Sequence, residues 1–168
     1  MKIASILSLL CCLAQGFSNH LQAADPASSS IPLEVRENLR IVYQVSDDTL
    51  HEGLNKGLSY ANKLMDTYEK QGIASKEVHL SLVFHSGAIT ALVNEVTRER
   101  LGAVAENSNQ VILAALIERG VQIELCESTM KQKGVELTEL LPGVKTVVGA
   151  FPRLIDLQLQ GYAYIKFE

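Results

Sequence analysis

The sequence predicts an α/β fold, a three-layer sandwich in which helices cover both faces of a mainly parallel sheet of about five strands. Short runs of β-branched and apolar residues alternate with segments whose apolar residues recur every three or four positions. Strands that alternate with helices at this spacing form βαβ units, whose crossovers place the helices on the sheet faces. With 47% apolar residues in a chain of 168, one buried core and one domain are expected.

The first predicted elements are two strands and the helices that follow them. The β-branched run 40–45 suits a strand, and the polar residues after it supply a turn and a helix N-cap. A long helix is predicted over 50–68 from apolar residues at spacings of three and four, with Gly72 as its stop. The run 78–84 predicts the second strand, and an apolar helical pattern follows at 88–93.

The second half of the chain repeats the alternation. In chain order, the predicted elements are a helix at 111–117, a strand at 121–125, short helical turns at 128–133 and 137–141, a strand at 144–148, a helix at 151–159 and a last strand at 162–167. Glycine or proline residues separate most of these elements, as is typical of turns.

The start of the chain differs in character from the rest. Lys2 provides a positive charge, and an apolar run then ends in small and polar residues. This run is much shorter than the roughly 20 residues needed to cross a bilayer, so a signal peptide over 1–24 is predicted rather than a membrane anchor. The polar stretch 25–32 is expected to be a flexible linker, and 33–168 the folded domain. The expected location is periplasmic or secreted, with no membrane attachment after signal removal.

The charge balance argues against nucleic acid as a partner. The chain has 15 basic and 19 acidic residues; loss of Lys2 with the signal leaves 14 and 19, so the net charge moves from −4 to −5. An acidic chain without a basic stripe has little to neutralise phosphates. The sequence also lacks a dinucleotide fingerprint, a phosphate-loop lysine motif and a metal-ligand spacing, so no cofactor and no metal are expected.

Cysteine usage draws attention to Cys126. Cys11 and Cys12 leave with the predicted signal, so Cys126 has no partner for an internal disulfide. It directly follows the predicted strand 121–125 and precedes a helical turn, whose free N–H groups and dipole favour a thiolate. A thiolate is the nucleophilic form of cysteine. A small apolar residue buried at the end of the strand is the alternative interpretation.

His85 is the second candidate residue. In open parallel sheets, functional groups collect in the loops that follow the carboxyl ends of strands, and His85 follows the strand 78–84. An imidazole near Cys126 would assist proton transfer or donate a hydrogen bond to a sulfur anion. The alternative is a loop or capping histidine. The sequence does not specify the strand order, on which the distance between His85 and Cys126 depends.

Several segments together resemble a known family. They are the cysteine segment 121–135, the strand end with its His-Ser-Gly loop at 83–87, and the C-terminal stretches 141–144 and 157–165. In this order and spacing they are similar to the DsrE/DsrF-like family, and they cover nearly all of the predicted domain. The resemblance implies the DsrEFH-like fold, persulfide or longer sulfane chains on the cysteine matching Cys126, a sulfur donor or acceptor protein as partner, and a homo-oligomer, trimer or hexamer.

The leading hypothesis is therefore an exported sulfur-trafficking protein, a sulfurtransferase-like carrier. Its Cys126 would accept a sulfane sulfur and pass it to a protein thiol by thiol exchange. A non-catalytic oligomeric binding module of the same fold, with a structural cysteine, is the alternative. A redox sensor in which Cys126 pairs between chains is a third interpretation.

Overall fold

Residues 31–167 are described by a computed structural model and contain alternating strands and helices. The elements are β1 (Leu39–Val45), β2 (Leu50–His51), β3 (Leu54–Asn55), α1 (Lys56–Lys70), β4 (Val78–Phe84), α2 (Glu95–Arg100), α3 (Asn109–Glu118), β5 (Gln122–Cys126), α4 (Glu127–Lys133), β6 (Lys145–Val147), α5 (Ala150–Leu159) and β7 (Ala163–Phe167), with short 3-10 helices at Ser75–Glu77, Ser86–Leu92 and Leu137–Glu139. The predicted signal peptide 1–24 and linker residues 25–30 lie outside the described residues.

The main sheet has five parallel strands in the order β6-β5-β4-β1-β7. Val45 of β1 pairs with Phe84 of β4 and with Phe167 of β7, and Phe84 pairs with Leu125 of β5. The carboxyl ends of these strands therefore lie together at one edge of the sheet. The predicted fold class, an α/β sandwich on a mainly parallel sheet of five strands, is confirmed.

The two faces of the sheet are covered by different helices. The chain steps in one direction from β1 to β6 and then crosses back to β7, so right-handed crossovers put α1 and α3 on one face and α5 on the other. We call these the core face and the α5 face. The larger apolar cluster lies on the core face, and the smaller cluster on the α5 face comprises Val42, Val83, Cys126, Ala150, Leu154 and Leu157.

The long helix begins later than predicted. It starts at Lys56, where the Asn55 side chain caps it by accepting a hydrogen bond from Gly57 N at 3.0 Å. The preceding residues form the β2–β3 hairpin, which uses positive φ angles of 56° at Glu52 and 79° at Gly53. Gly57 lets α1 approach β1 closely, because a Cβ there would lie 2.5 Å from a methyl carbon of Val45.

Two other helical segments also differ from the prediction. The apolar pattern at 88–93 forms a 3-10 helix over Ser86–Leu92 instead of an α-helix. The short helix α2 was not predicted, although its N-cap Asn94, which accepts a hydrogen bond from Thr97 N at 2.9 Å, is a typical start signal. Within residues 31–167, no helix combines the length and apolarity that spanning a bilayer requires.

Candidate functional site

Cys126 lies where β5 ends and α4 begins. It is the last residue of the strand and the N-cap position of the helix. Its side chain points to the α5 face, where it belongs to the buried cluster that also contains Val83 and Ala150, and the residue is only 5% exposed. Ala150 is the first residue of α5. The starts of two helices therefore meet at one sulfur atom.

Hydrogen bonds outweigh burial in setting the acidity of this thiol. Burial by itself raises the pKa of Cys126, but the backbone N–H groups of Thr129, Ala150 and Ser128 and the hydroxyl of Thr129 all favour the thiolate. Their sum holds the pKa of Cys126 below its ordinary value. Two of the backbone donors come from the first turn of α4 and one from α5, so the arrangement depends on both helices.

A surface cleft of about 420 Å³ opens beside the sulfur. Its lining contains no Lys, Arg, Asp or Glu, and two of its residues, Val148 and Phe151, are large, exposed apolar side chains. The lining residues are His85, Ser86, Cys126, Ser128, Thr129, Gln132, Val148, Gly149, Ala150, Phe151 and Pro152. The cleft thus has a hydrogen-bonding interior and apolar groups at its surface.

His85 lines the same cleft, because β4 and β5 are neighbours in the sheet. Its two ring nitrogens are held by other residues: Nε2 lies 2.8 Å from Nε2 of Gln44, and Nδ1 lies 2.9 Å from Oγ of Ser86. Burial first, and the positive charge of Lys166 second, lower the pKa of His85. The structure therefore brings His85 into the cleft of Cys126 as a neutral imidazole whose nitrogens are engaged elsewhere.

Three residues at the site were missed from sequence. Thr129 donates to the sulfur, as described above, and its Oγ1 accepts the backbone N–H of Ser86 at 3.1 Å. Gln44 is a buried polar residue next to the carboxyl end of β1, and the Tyr164 hydroxyl donates to its Oε1. A polar side chain inside a β-branched run was the available signal for Gln44.

An ion pair between a buried carboxylate and a partly exposed arginine lies on the same face, next to the site. Glu124 precedes Cys126 by two positions on β5, so both side chains point to the α5 face. The side chain of Glu124 is 5% exposed. Arg153 of α5 binds it with both arms of its fork, Nε to Oε2 and Nη2 to Oε1, each at 2.7 Å. This pair ties the first turn of α5 to the strand that carries Cys126.

The loop after β1 does not join the cleft. Asp47 accepts the backbone N–H of Thr49 at 3.0 Å, which is a turn contact, and neither residue lines the cysteine cleft. Over the part of the chain that the structure describes, no cluster of three His, Cys, Asp or Glu side chains is arranged to hold a metal ion.

Comparison with known proteins agrees with this fold. No curated protein matches the chain significantly. Among solved structures it is similar to MTH1491 from Methanobacterium thermoautotrophicum, a protein of unknown function (19% identity, TM-score 0.55, covering 77% of this chain and 99% of that one), and to the ychN protein from E. coli (20% identity, TM-score 0.53, covering 77% and 100%). At these identities the likeness shows the fold alone.

The family assignment comes from a sequence model. The model of the DsrE/DsrF-like family matches residues 48–167, which include β4, β5 and the whole of the Cys126 cleft. The resemblance predicted from the segments around His85 and Cys126 is thereby confirmed. The chain belongs to the DsrE/DsrF-like family, and membership suggests a role in sulfur relay at the level of the family.

Proposed function

We propose that this protein is an exported sulfur carrier in which Cys126 holds a sulfane sulfur as a persulfide and passes it to a protein thiol. The observation that carries the proposal is the sulfur environment: three backbone N–H groups and one hydroxyl favour the thiolate beside an open cleft. A cysteine that only fills space needs no such donors. Export is proposed from the N-terminal sequence pattern alone.

The loading step is a thiol exchange that needs no cofactor. The Cys126 thiolate attacks the outer sulfur of a donor persulfide R–S–SH, the new S–S bond forms on Sγ, and the old S–S bond breaks. The donor leaves as the thiolate R–S⁻ with the bonding electron pair, so atoms and charge balance and no external oxidant is consumed. Unloading is the same exchange, with a thiolate of the acceptor attacking the outer sulfur on Cys126.

The cleft suits a protein partner. Val148 is 82% exposed and Phe151 is 65% exposed, so the cleft offers apolar contact area around a thiol that lies below the surface. A partner that presents its own cysteine on a narrow loop would reach Sγ while covering these side chains. The family expectation of a homo-oligomer is retained as part of the proposal, because members of the family are often oligomeric.

Intact mass measures the carrier function directly. The isolated protein is incubated with polysulfide, and wild type is compared with Cys126→Ser, which keeps the size of the side chain. Wild type is expected to gain mass in steps of roughly 32 Da, which a reducing thiol removes, because the covalent intermediate forms on the nucleophile. Equal gain by Cys126→Ser, or no gain by wild type, contradicts the proposal.

A structural cysteine in a binding module remains the second candidate, and one observation favours it. Cys126 is 5% exposed and belongs to a buried apolar cluster with Val83, Leu154 and Leu157, as an inert core cysteine would. Alkylation of the native protein by iodoacetamide at pH 7 separates the two functions. A rate near that of the unfolded chain supports the carrier, whereas protection equal to global unfolding supports the binding module.

A further inference from the structure

A line of hydrogen bonds crosses three strands and ends in the Cys126 cleft. The Tyr164 hydroxyl on β7 donates to Oε1 of Gln44 on β1. Nε2 of Gln44 lies 2.8 Å from Nε2 of His85, at the end of β4, and Nδ1 of His85 lies 2.9 Å from Oγ of Ser86. The three strands are direct neighbours in the sheet, so the line follows their order. We call these four residues the donor line.

Each hydrogen bond in the donor line fixes the direction of the next. An amide nitrogen only donates, so His85 accepts at Nε2, and its neutral ring carries the hydrogen on Nδ1. That hydrogen is donated to Oγ of Ser86. The hydroxyl hydrogen of Ser86 is then left to donate elsewhere, and Ser86 is an exposed residue that lines the cleft. The line therefore ends in a hydrogen-bond donor beside the thiol.

The backbone of Ser86 is held close to the same sulfur. Its N–H donates to Oγ1 of Thr129 at 3.1 Å, and the Thr129 hydroxyl donates to Cys126, so a single oxygen atom links the two residues. Ser86 also has a φ of 53°, a left-handed conformation that glycine adopts without strain and serine does not. A strained serine where glycine would be more stable points to a need for its hydroxyl.

We propose that the Ser86 hydroxyl donates a hydrogen bond to the terminal sulfur of the persulfide on Cys126, and that Tyr164, Gln44 and His85 hold it in this donating orientation. The proposal rests on the carrier function. The terminal sulfur is one bond beyond Sγ and bears the charge of a deprotonated persulfide, so a donor in the cleft stabilises it once sulfur has arrived. The Ser86 proton stays on its oxygen throughout the thiol exchange.

The variant Ser86→Gly tests this donor without straining the backbone. Glycine fits the φ of 53°, so the variant is expected to fold at least as stably as wild type. Its initial rate of sulfur loading from polysulfide, followed by intact mass, should fall roughly tenfold or more, because one hydrogen bond to a charged sulfur is lost. The rate of alkylation by iodoacetamide should stay within about twofold of wild type, because alkylation adds no terminal sulfur that Ser86 could stabilise.

Asn38→Gly is the matched control. Asn38 has nearly the same φ, 52°, but does not line the cleft, so its replacement relieves the same kind of strain and should leave loading unchanged. Gln44→Leu interrupts the donor line and should slow loading while the alkylation rate holds. Loading by Ser86→Gly at the wild-type rate overturns the proposal, and so does an equal fall in loading and alkylation. A wild type that gains no sulfur contradicts the carrier function itself.

Discussion

The two faces of the sheet are built from the same strands but by opposite rules. On the core face, Leu82 and Phe84 of β4 are fully buried in a continuous apolar cluster under α1 and α3. On the α5 face, the polar residues Gln44 and Glu124 are buried, and the apolar cluster is small and includes Cys126. Because strand residues alternate in direction, neighbours in sequence serve different purposes.

The difference between the faces concerns how each is stabilised. Apolar side chains gain free energy from burial in any well-packed arrangement, whereas a buried polar group must find a specific partner. Among the described residues, every fully buried side-chain nitrogen or oxygen has a hydrogen-bond partner. Apolar burial on the core face therefore stabilises the fold. On the α5 face, specific hydrogen bonds hold polar groups in fixed positions around a thiol.

Removal of the arginine that pairs with a buried carboxylate should have the largest effect. Arg153→Ala leaves the Glu124 carboxylate, whose side chain is 5% exposed, without its counter-ion on the α5 face. Breaking such a pair costs on the order of 3–5 kcal/mol of unfolding free energy. Urea denaturation gives the value. The double variant Glu124→Leu, Arg153→Met should recover most of the loss, because a well-packed apolar pair replaces the ions.

Arg119 provides the matched control on the other face. It joins α3 to α1 through Asp66 and Glu69, whose side chains are 44% and 73% exposed. Exposed partners are solvated when the arginine is removed, so Arg119→Ala should cost about 1 kcal/mol or less. Equal losses in Arg119→Ala and Arg153→Ala would show that burial of the acidic partner does not distinguish the two faces.

The sequence predicted the sheet better than the site. The strand at 78–84 has the predicted bounds, and α5 begins within one residue of its predicted start, since alternation and helical spacing are local properties. The predicted helix type at 88–93 and the predicted start of α1 were wrong. A 3-10 helix and a hairpin can carry the same apolar spacing as an α-helix. The position of Cys126 at a strand end also followed from local pattern.

The neighbours of Cys126 could not be predicted in the same way. Gln44 and Tyr164 are 120 positions apart in the chain and meet only because β7 crosses back to lie beside β1. His85 shares the cleft because β4 adjoins β5, and Ala150 reaches the sulfur because α5 starts above it. Each of these contacts depends on strand order, which one sequence did not specify.

Two adjacent residues of β4 offer a direct comparison of the faces. Leu82→Ala opens a cavity in the core face and should cost about 3 kcal/mol of unfolding free energy, with no change in the alkylation of Cys126. Val83→Ala removes two carbon atoms from the buried cluster that contains Cys126 and should cost about 1.5 kcal/mol, but it should change the alkylation rate. A change in alkylation with Leu82→Ala would mean that the faces are not separable.

Loss of a single hydrogen-bond donor to Cys126 should have the smallest effect on stability and the most specific effect on the pKa of the thiol. The pKa of Cys126 is lowered, so the thiolate is populated at a lower pH than in an unfolded chain. Thr129→Val removes the hydroxyl that donates to the sulfur, and the midpoint of the alkylation rate against pH should rise. At pH 7 the rate should fall roughly tenfold, which corresponds to about 1.4 kcal/mol. Thr129→Ser keeps the hydroxyl and should behave as wild type.

The same group links stability to pH with a definite sign. A thiol whose pKa is lowered on folding binds fewer protons in the folded than in the unfolded chain, between the folded pKa and the ordinary thiol value. Wild type should therefore gain unfolding free energy as pH rises through that window, and lose it as pH falls. Thr129→Val should gain less over the same range, because its folded pKa is closer to the unfolded one. Parallel stability curves for wild type, Thr129→Val and Cys126→Ser would contradict a thiolate stabilised by the two helix starts.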